Sequence, residues 1–199
     1  MHEDHFVIVA HTFTNTSDYI FVYDLLSDEL CDKVIARLDK RNKWRGHQWF
    51  NAGSTDYTEN QDFLTSKDER CKNWIVPKLA ELSEAYHQKY YDDRNTNSDI
   101  FWNVVTNVKF NKYREGESIR SHHDHIHDMF DGSLKGIPVS SVIGLLNDNF
   151  EGGDLVFWDE YHVPLKKGQV AIFPSCFVYP HQVTEVTSGT RYSWVTWCV

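Results

Sequence analysis

Nothing in this sequence approaches the ~20 consecutive apolar residues that a membrane span requires. Neither a spanning helix nor a membrane partner is expected. Positive charge is also scarce: 20 Lys and Arg stand against 29 Asp and Glu, a formal net charge of -9. A free-standing binder of a nucleic-acid backbone needs a basic face, so nucleic acid is not an expected partner. Cysteine is sparse, and Cys31, Cys71, Cys176 and Cys198 show neither CxxC spacing nor the density of a disulfide scaffold. Reduced thiols in a cytoplasmic compartment are the expectation. The opening MHEDHFVIVAHTF places acids and histidines where a signal peptide would carry positive charge, so secretion is not expected. Only five prolines punctuate the chain, and no internal repeat stands out.

What is present suits one domain over residues 1–199, with enough apolar content, 41%, to bury a sizeable core. Aromatics reach 15%, which favours β-rich packing or an aromatic-lined pocket. Residues 1–99 read as a helical support region with a long loop. Ser27 caps a helix whose first turn holds Asp28 and Glu29. Leu30, Val34 and Leu38 then recur at helical spacing before Lys40 and Arg41. Ile75, Leu79, Leu82, Tyr86 and Tyr90 form a second helical pattern, which Pro77 must start or kink. Between them residues 42–66 are polar and aromatic. A loop of that length is usually functional, so Trp44 and Trp49 are read as a substrate-covering lid.

Residues 100–199 read as the β core. Short β-branched or aromatic runs at 101–110, 139–146, 155–158, 170–173, 178–186 and 192–197 alternate with Gly-containing turns. The expected class is mainly β with flanking α-helices, a barrel or sandwich. Gly152 and Gly153 are read as a turn, and Trp158 as pocket wall.

The run Ser121-His122-His123-Asp124-His125-Ile126-His127-Asp128 carries the chemistry. On a strand, side chains alternate faces, so His122 and Asp124 share one. A His and a carboxylate so placed give two adjacent metal ligands. A third from another strand, offered by Pro180-His181-Gln182, completes a facial triad with open positions suited to non-haem Fe(II). The His-x-Asp pattern alone carries no weight, since this composition yields about one by chance. It occurs also at His2-Glu3-Asp4, read as a solvated terminus. His123, His125 and His127 are read as polar residues rather than a second metal site. In Gly189-Thr190-Arg191-Tyr192-Ser193, Arg191 and Ser193 share a strand face and can clamp one carboxylate.

Tyr113-Arg114-Glu115-Gly116 followed by His122-His123-Asp124 resembles the Y-x-x-G…H-x-D signature of Fe(II)/2-oxoglutarate oxygenases of the prolyl 4-hydroxylase-like group. Glu151-Gly152-Gly153-Asp154-Leu155-Val156-Phe157 is similar to that group's EGG-[DE]-L strand. Gly168-Gln169-Val170-Ala171-Ile172-Phe173-Pro174, His181-Gln182-Val183 and Gly189-Thr190-Arg191 resemble its closing strands. The match runs over residues 101–197, and Leu25-Leu26-Ser27-Asp28-Glu29-Leu30-Cys31 resembles the leading helix.

The resemblance implies a double-stranded β-helix (jelly-roll) core. It implies iron held by His122, Asp124 and His181, and 2-oxoglutarate held by Arg191, all four serving catalysis. Tyr113 and Ser193 are supplementary cosubstrate contacts, because Val142-Ile143-Gly144-Leu145 lacks the tyrosine some relatives place there. It further implies O2 as co-reactant, ascorbate as an auxiliary requirement, and succinate and CO2 as products. The default substrate is a peptidyl-proline within a peptide or protein. A small molecule such as a free amino acid is the alternative, and a catalytically silent jelly-roll binding module or a plain metal-binding cupin stands further off. Asp124 argues against a halogenase, and the charge and the missing second arginine against a nucleobase demethylase. Oligomeric state is not legible.

Overall fold

The computed structural model describes residues 15–50, 57–91, 105–124, 130–131, 135–136 and 138–199. A 3-10 turn at Thr16–Tyr19 leads into β1 (Phe21–Asp24) and α1 (Asp28–Arg41), followed by β2 (Arg45–Phe50) and β3 (Tyr57–Ser66). α2 (Glu69–Ile75), a 3-10 turn at Val76–Lys78 and α3 (Leu79–Tyr91) complete the helices. The remaining strands are β4 (Lys109–Arg114), β5 (Ile119–His122), β6 (Phe130–Asp131), β7 (Lys135–Gly136), β8 (Ser140–Leu145) and β9 (Phe150–Gly152). They continue with β10 (Leu155–Phe157), β11 (Tyr161–Val163), β12 (Gln169–Pro174), β13 (His181–Val183) and β14 (Val186–Cys198).

α1 forms as its sequence dictates. The Ser27 hydroxyl accepts from the Leu30 amide, Asp28 and Glu29 occupy the positive end, and Asn42 closes the helix in the left-handed region. Cys31, Val34 and Leu38 form its buried stripe. Asp68 caps α2 by accepting from the Cys71 amide at 2.9 Å. Pro77, with no amide to donate, sits in the 3-10 turn that divides α2 from α3.

A larger sheet runs β1-β12-β8-β14-β4-β3-β2, with β9 added on β14. A smaller sheet runs β11-β10-β13-β5, and β6 pairs with β7 alone. The helices pack on the outer face of the larger sheet, where Val34, Leu38, Ile75, Leu82, Val142, Ile172 and Trp194 meet in one cluster. Each such side chain contributes about 1.5–3 kcal/mol by leaving water. Ile143, Leu155, Phe157, Phe173 and Val195 form a second cluster, drawn from strands of both sheets. β8 and the half of β14 from Arg191 onward are therefore largely buried on both faces. Gly144 is required where they cross: a Cβ there would lie 2.2 Å from the Trp194 indole. This is the mainly β jelly-roll with flanking helices that the sequence suggests.

The front half corrects one expectation. The stretch read as a long loop forms β2 and β3, a hairpin that extends the larger sheet through β4, pairing Leu64 with Lys112 and Ser66 with Phe110. Polar side chains on one face of an antiparallel edge hid the strand pattern. Among the described side chains of the hairpin, His47, Phe63 and Ser66 are buried. The run expected at 101–110 begins as a strand only at Lys109, and residues 101–104 lie outside the described set. The run at 178–186 contributes β13 and the start of β14, with residues 178–180 irregular before it.

Candidate metal centre and its cavity

β5 and β13 pair so that His122 lies directly across from His181. Their rings sit 4.5 Å apart between centroids. Asp124 follows β5 by two residues, past the strand's end, and its carboxylate turns toward both rings. Nε2 of His122 lies 3.7 Å from Oδ1, and Nε2 of His181 lies 3.8 Å from Oδ2. One ligand atom from each residue falls within 4.8 Å of the other two, the one such group among the described residues.

The hydrogen bonds behind these donors set their state. Nδ1 of His122 meets the Arg120 carbonyl at 2.9 Å, and Nδ1 of His181 meets the Tyr179 carbonyl at 3.1 Å. A carbonyl only accepts, so each Nδ1 carries the proton and each Nε2 turns a lone pair inward. Burial, with His181 beside it, pushes His122 down to about 4 and keeps its ring neutral. For Asp124, burial favours the neutral acid. The neighbouring His181 and His122 rings and the Ser141 hydroxyl outweigh it and hold the carboxyl below its ordinary range. Ser141 Oγ donates to Asp124 Oδ2 at 2.7 Å. Two imidazoles and one carboxylate with sides left open fit a six-coordinate ferrous ion, and the set lacks the thiolates of a structural zinc site.

The three donors line a cavity of about 50 Å³ whose other end is Arg191. This guanidinium is 2% exposed. Nη1 donates to Ser193 Oγ at 2.7 Å, Nε has no hydrogen-bond partner, and among the described residues no carboxylate pairs with the group. Burial lowers its pKa, with Tyr113 and Asp154 opposing. Its flat face lies 5.4 Å over Tyr113 and 6.0 Å from Phe150. Phe63 stacks on Tyr113, and His47 stacks on Phe63. A buried cation with an unsatisfied donor is costly unless an anion completes it. The cavity therefore suits a ligand with a carboxylate at one end and a chelating group at the other. Gly152 and Gly153 form the turn that lets this end close, with φ of 68° and 63°, and a Cβ on Gly153 would press on Arg191 Cδ at 2.9 Å.

His122, Asp124, His181, Arg191, Ser193 and Tyr113 thus share one cavity. Trp44 and Trp158 do not join them. Trp44 packs on the helix side, 6.1 Å from Tyr192, with its Nε1 donating to Asp39. Trp158 sits at positive φ in the turn after β10, near Tyr179, with Nε1 donating to the Val178 carbonyl. Neither lines this cavity, and each indole nitrogen has a partner elsewhere in the fold. The Trp49 side chain, His125 and His127 lie outside the described residues, and His123 is exposed.

Sequence reasoning missed Lys109, Asn111, Ser141 and Trp197. Lys109 and Asn111 alternate with Tyr113 on β4, and Trp197 alternates with Arg191 and Ser193 on β14. The same two-residue rule that paired Arg191 with Ser193 would have found them. Asn111 Oδ1 and Trp197 Nε1 are buried without partners. Burial brings Lys109 down to about 8, with Asp124 opposing.

Residues 108–199 match the family model described as the 2OG-Fe(II) oxygenase superfamily. A PKHD-type hydroxylase of Acinetobacter baumannii is 36% identical over 94 residues, 44% of this chain and 40% of that protein. The chain thus spans about two fifths of the length of the curated relatives it matches. Among solved structures, a Pseudomonas putida prolyl-4-hydroxylase superposes with TM-score 0.61 at 18% identity, over 90% of this chain and 91% of that one. A Trichoplax adhaerens prolyl hydroxylase in complex with a hypoxia inducible factor peptide fragment gives TM-score 0.64 at 16% identity, over 92% and 84%. These likenesses establish the fold. Among the described residues no helix is long and apolar enough to cross a membrane.

Proposed function

We propose that this chain, which carries a 2OG-Fe(II) oxygenase superfamily domain over residues 108–199, is an Fe(II)- and 2-oxoglutarate-dependent dioxygenase. It hydroxylates a substrate C–H bond and converts 2-oxoglutarate to succinate and CO2. His122, Asp124 and His181 hold the iron; Arg191, with Ser193 and Tyr113, holds the far carboxylate of 2-oxoglutarate. The observation that carries the reading is the buried, unpaired Arg191 sharing a cavity with the three donors.

When bound, iron supplies the activation of O2. The chain supplies the rest. Arg191 fixes the diacid's length between guanidinium and metal, so its chelating end arrives oriented. The Arg120 and Tyr179 carbonyls hold the imidazole tautomers, and Ser141 keeps Asp124 ionised and aimed. Ile143, Val183 and Val195 form an apolar wall that keeps water from the cosubstrate.

The substrate reading is a peptidyl-proline, supported by the prolyl hydroxylase neighbours and by the one solved with a peptide. Ascorbate serves as an auxiliary reductant. The four free cysteines agree with a reducing, cytoplasmic setting. The chain forms one functional domain, residues 1–99 bracing the core of 100–199.

Incubation with Fe(II), 2-oxoglutarate and air, with succinate measured, is the test. Iron-dependent succinate release that chelation stops is expected. Its absence in protein that binds Fe(II) with the His-Asp-His set intact overturns the enzyme reading in favour of a silent module.

A further inference from the structure

We propose that Lys109 selects a substrate that presents a carboxylate beside the C–H bond to be oxidised; this rests on the oxygenase reading above. The inward positions of β4 step away from the clamp in register. Tyr113 pairs with Arg191, Asn111 with Ser193, and Lys109 with Val195, each step about 6.6–6.8 Å. Lys109 therefore lies beyond the level at which Ser193 holds the Arg191 head, in the part of the cavity that Asp124 and Trp197 line. Its ammonium stands 5.7 Å over the Trp197 ring. Among the described residues it makes no hydrogen bond and no ion pair.

Charge makes the point. Asp124 brings one negative charge, and Arg191 and Lys109 one positive charge each. A divalent cation and a dianionic cosubstrate cancel each other, Arg191 taking one end of the diacid and the metal the other. With Asp124 committed to the metal, the loaded cavity keeps a surplus of one positive charge, and its unmatched group is the ammonium of Lys109. Among the described residues the one carboxylate near Lys109 is Asp124, which the metal claims, and the ammonium otherwise stands over an indole without a hydrogen bond or ion pair, so it awaits an anion. The remaining anion is the substrate's. Its carboxylate has two sources: the free carboxylate of an amino acid or C-terminal residue, or an acidic side chain next to the target residue in a peptide.

Two matched pairs of probes separate them. Acetyl-proline against acetyl-proline amide tests the free carboxylate; acetyl-Pro-Glu-amide against acetyl-Pro-Gln-amide tests the side chain. Binding is read without turnover, by quenching of tryptophan fluorescence in protein loaded with 2-oxoglutarate and redox-silent Mn(II). Succinate release is then read with Fe(II). In one pair the acid is expected to bind at least about tenfold more tightly than its neutral partner. Lys109→Met should erase that difference, and Lys109→Arg should restore it. Parity within each pair in the unmodified protein, a lack of response included, overturns the proposal, as does a preference that survives Lys109→Met. Parity alongside iron-dependent succinate release removes only the role of Lys109. Absence of that release removes the oxygenase reading itself.

Discussion

The two ends of the cavity are built on different plans. At one end the donors come from the last residue of β5, a residue just past it, and the first residue of β13, all on a sheet of short strands. The His122 side chain there keeps 20% of its surface in contact with solvent. At the other end Arg191 sits inside β14, a 13-residue strand flanked by β8 and β4, behind stacked Tyr113 and Phe63. The closed end is rigid and carries a charge it does not satisfy. The open end is satisfied by its own carbonyls and hydroxyls but stands at strand termini. Under the proposed function, preorganisation for the diacid belongs to the larger sheet, and access for substrate and O2 to the smaller one.

Four substitutions test that division, beginning where the effect is greatest. Asp124→Ala at the open end should reduce iron-dependent succinate formation to background while far-ultraviolet circular dichroism stays unchanged; undiminished turnover would exclude the triad. At the closed end, Arg191→Met removes charge-assisted hydrogen bonds each contributing about 1.5–3 kcal/mol, so the apparent affinity for 2-oxoglutarate should fall roughly tenfold to a hundredfold. Because the lost charge was buried and unpaired, the melting temperature should hold or rise, and a collapse in stability would show that Arg191 is structural instead. Ser141→Ala leaves the three donors in place and removes only the hydroxyl on Asp124. A loss of about tenfold in metal affinity is expected by direct titration. Gly153→Ala should act at a distance from the metal, forcing Arg191 aside at a positive-φ position. It should cost about 1 kcal/mol in unfolding experiments and raise the 2-oxoglutarate requirement a few-fold, with metal titration unaltered.

The same contrast explains what could be read in advance. Arg191 and Ser193 share one regular strand, and strand alternation alone puts them together. His122 and Asp124 meet as well, although the paired strand ends between them. β5 stops at His122, yet exposed His123 still separates the two inward side chains, as alternation expects. His181 was visible through motif order, since nothing in its neighbours reveals which strand it will face. The hairpin of β2 and β3 stayed hidden because a half-exposed edge needs few inward apolar residues. The neighbours of Trp44 were hidden for a related cause: Tyr192 and Lys112 come to it from pairing far along the chain. Lys109 and Asn111 were overlooked because polar residues on a strand read as its wet face, yet here that face lines an enclosed cavity.

One small contact reaches further than its size. Ser141 gives its only proton to Asp124, so at 2.8 Å from Ser175 it must be the acceptor. The two hydroxyls form a one-way relay from the loop after β12 to the carboxylate. A hydrogen bond donated to the carboxylate favours the ionised form over the acid, so this group resists neutralisation before any cation arrives. The loop that starts the relay goes on to Phe177 and Val178, which stand out in solvent. A surface segment thereby takes part in keeping an interior group ionised, and whatever leans on that segment leans on the metal-binding acid as well.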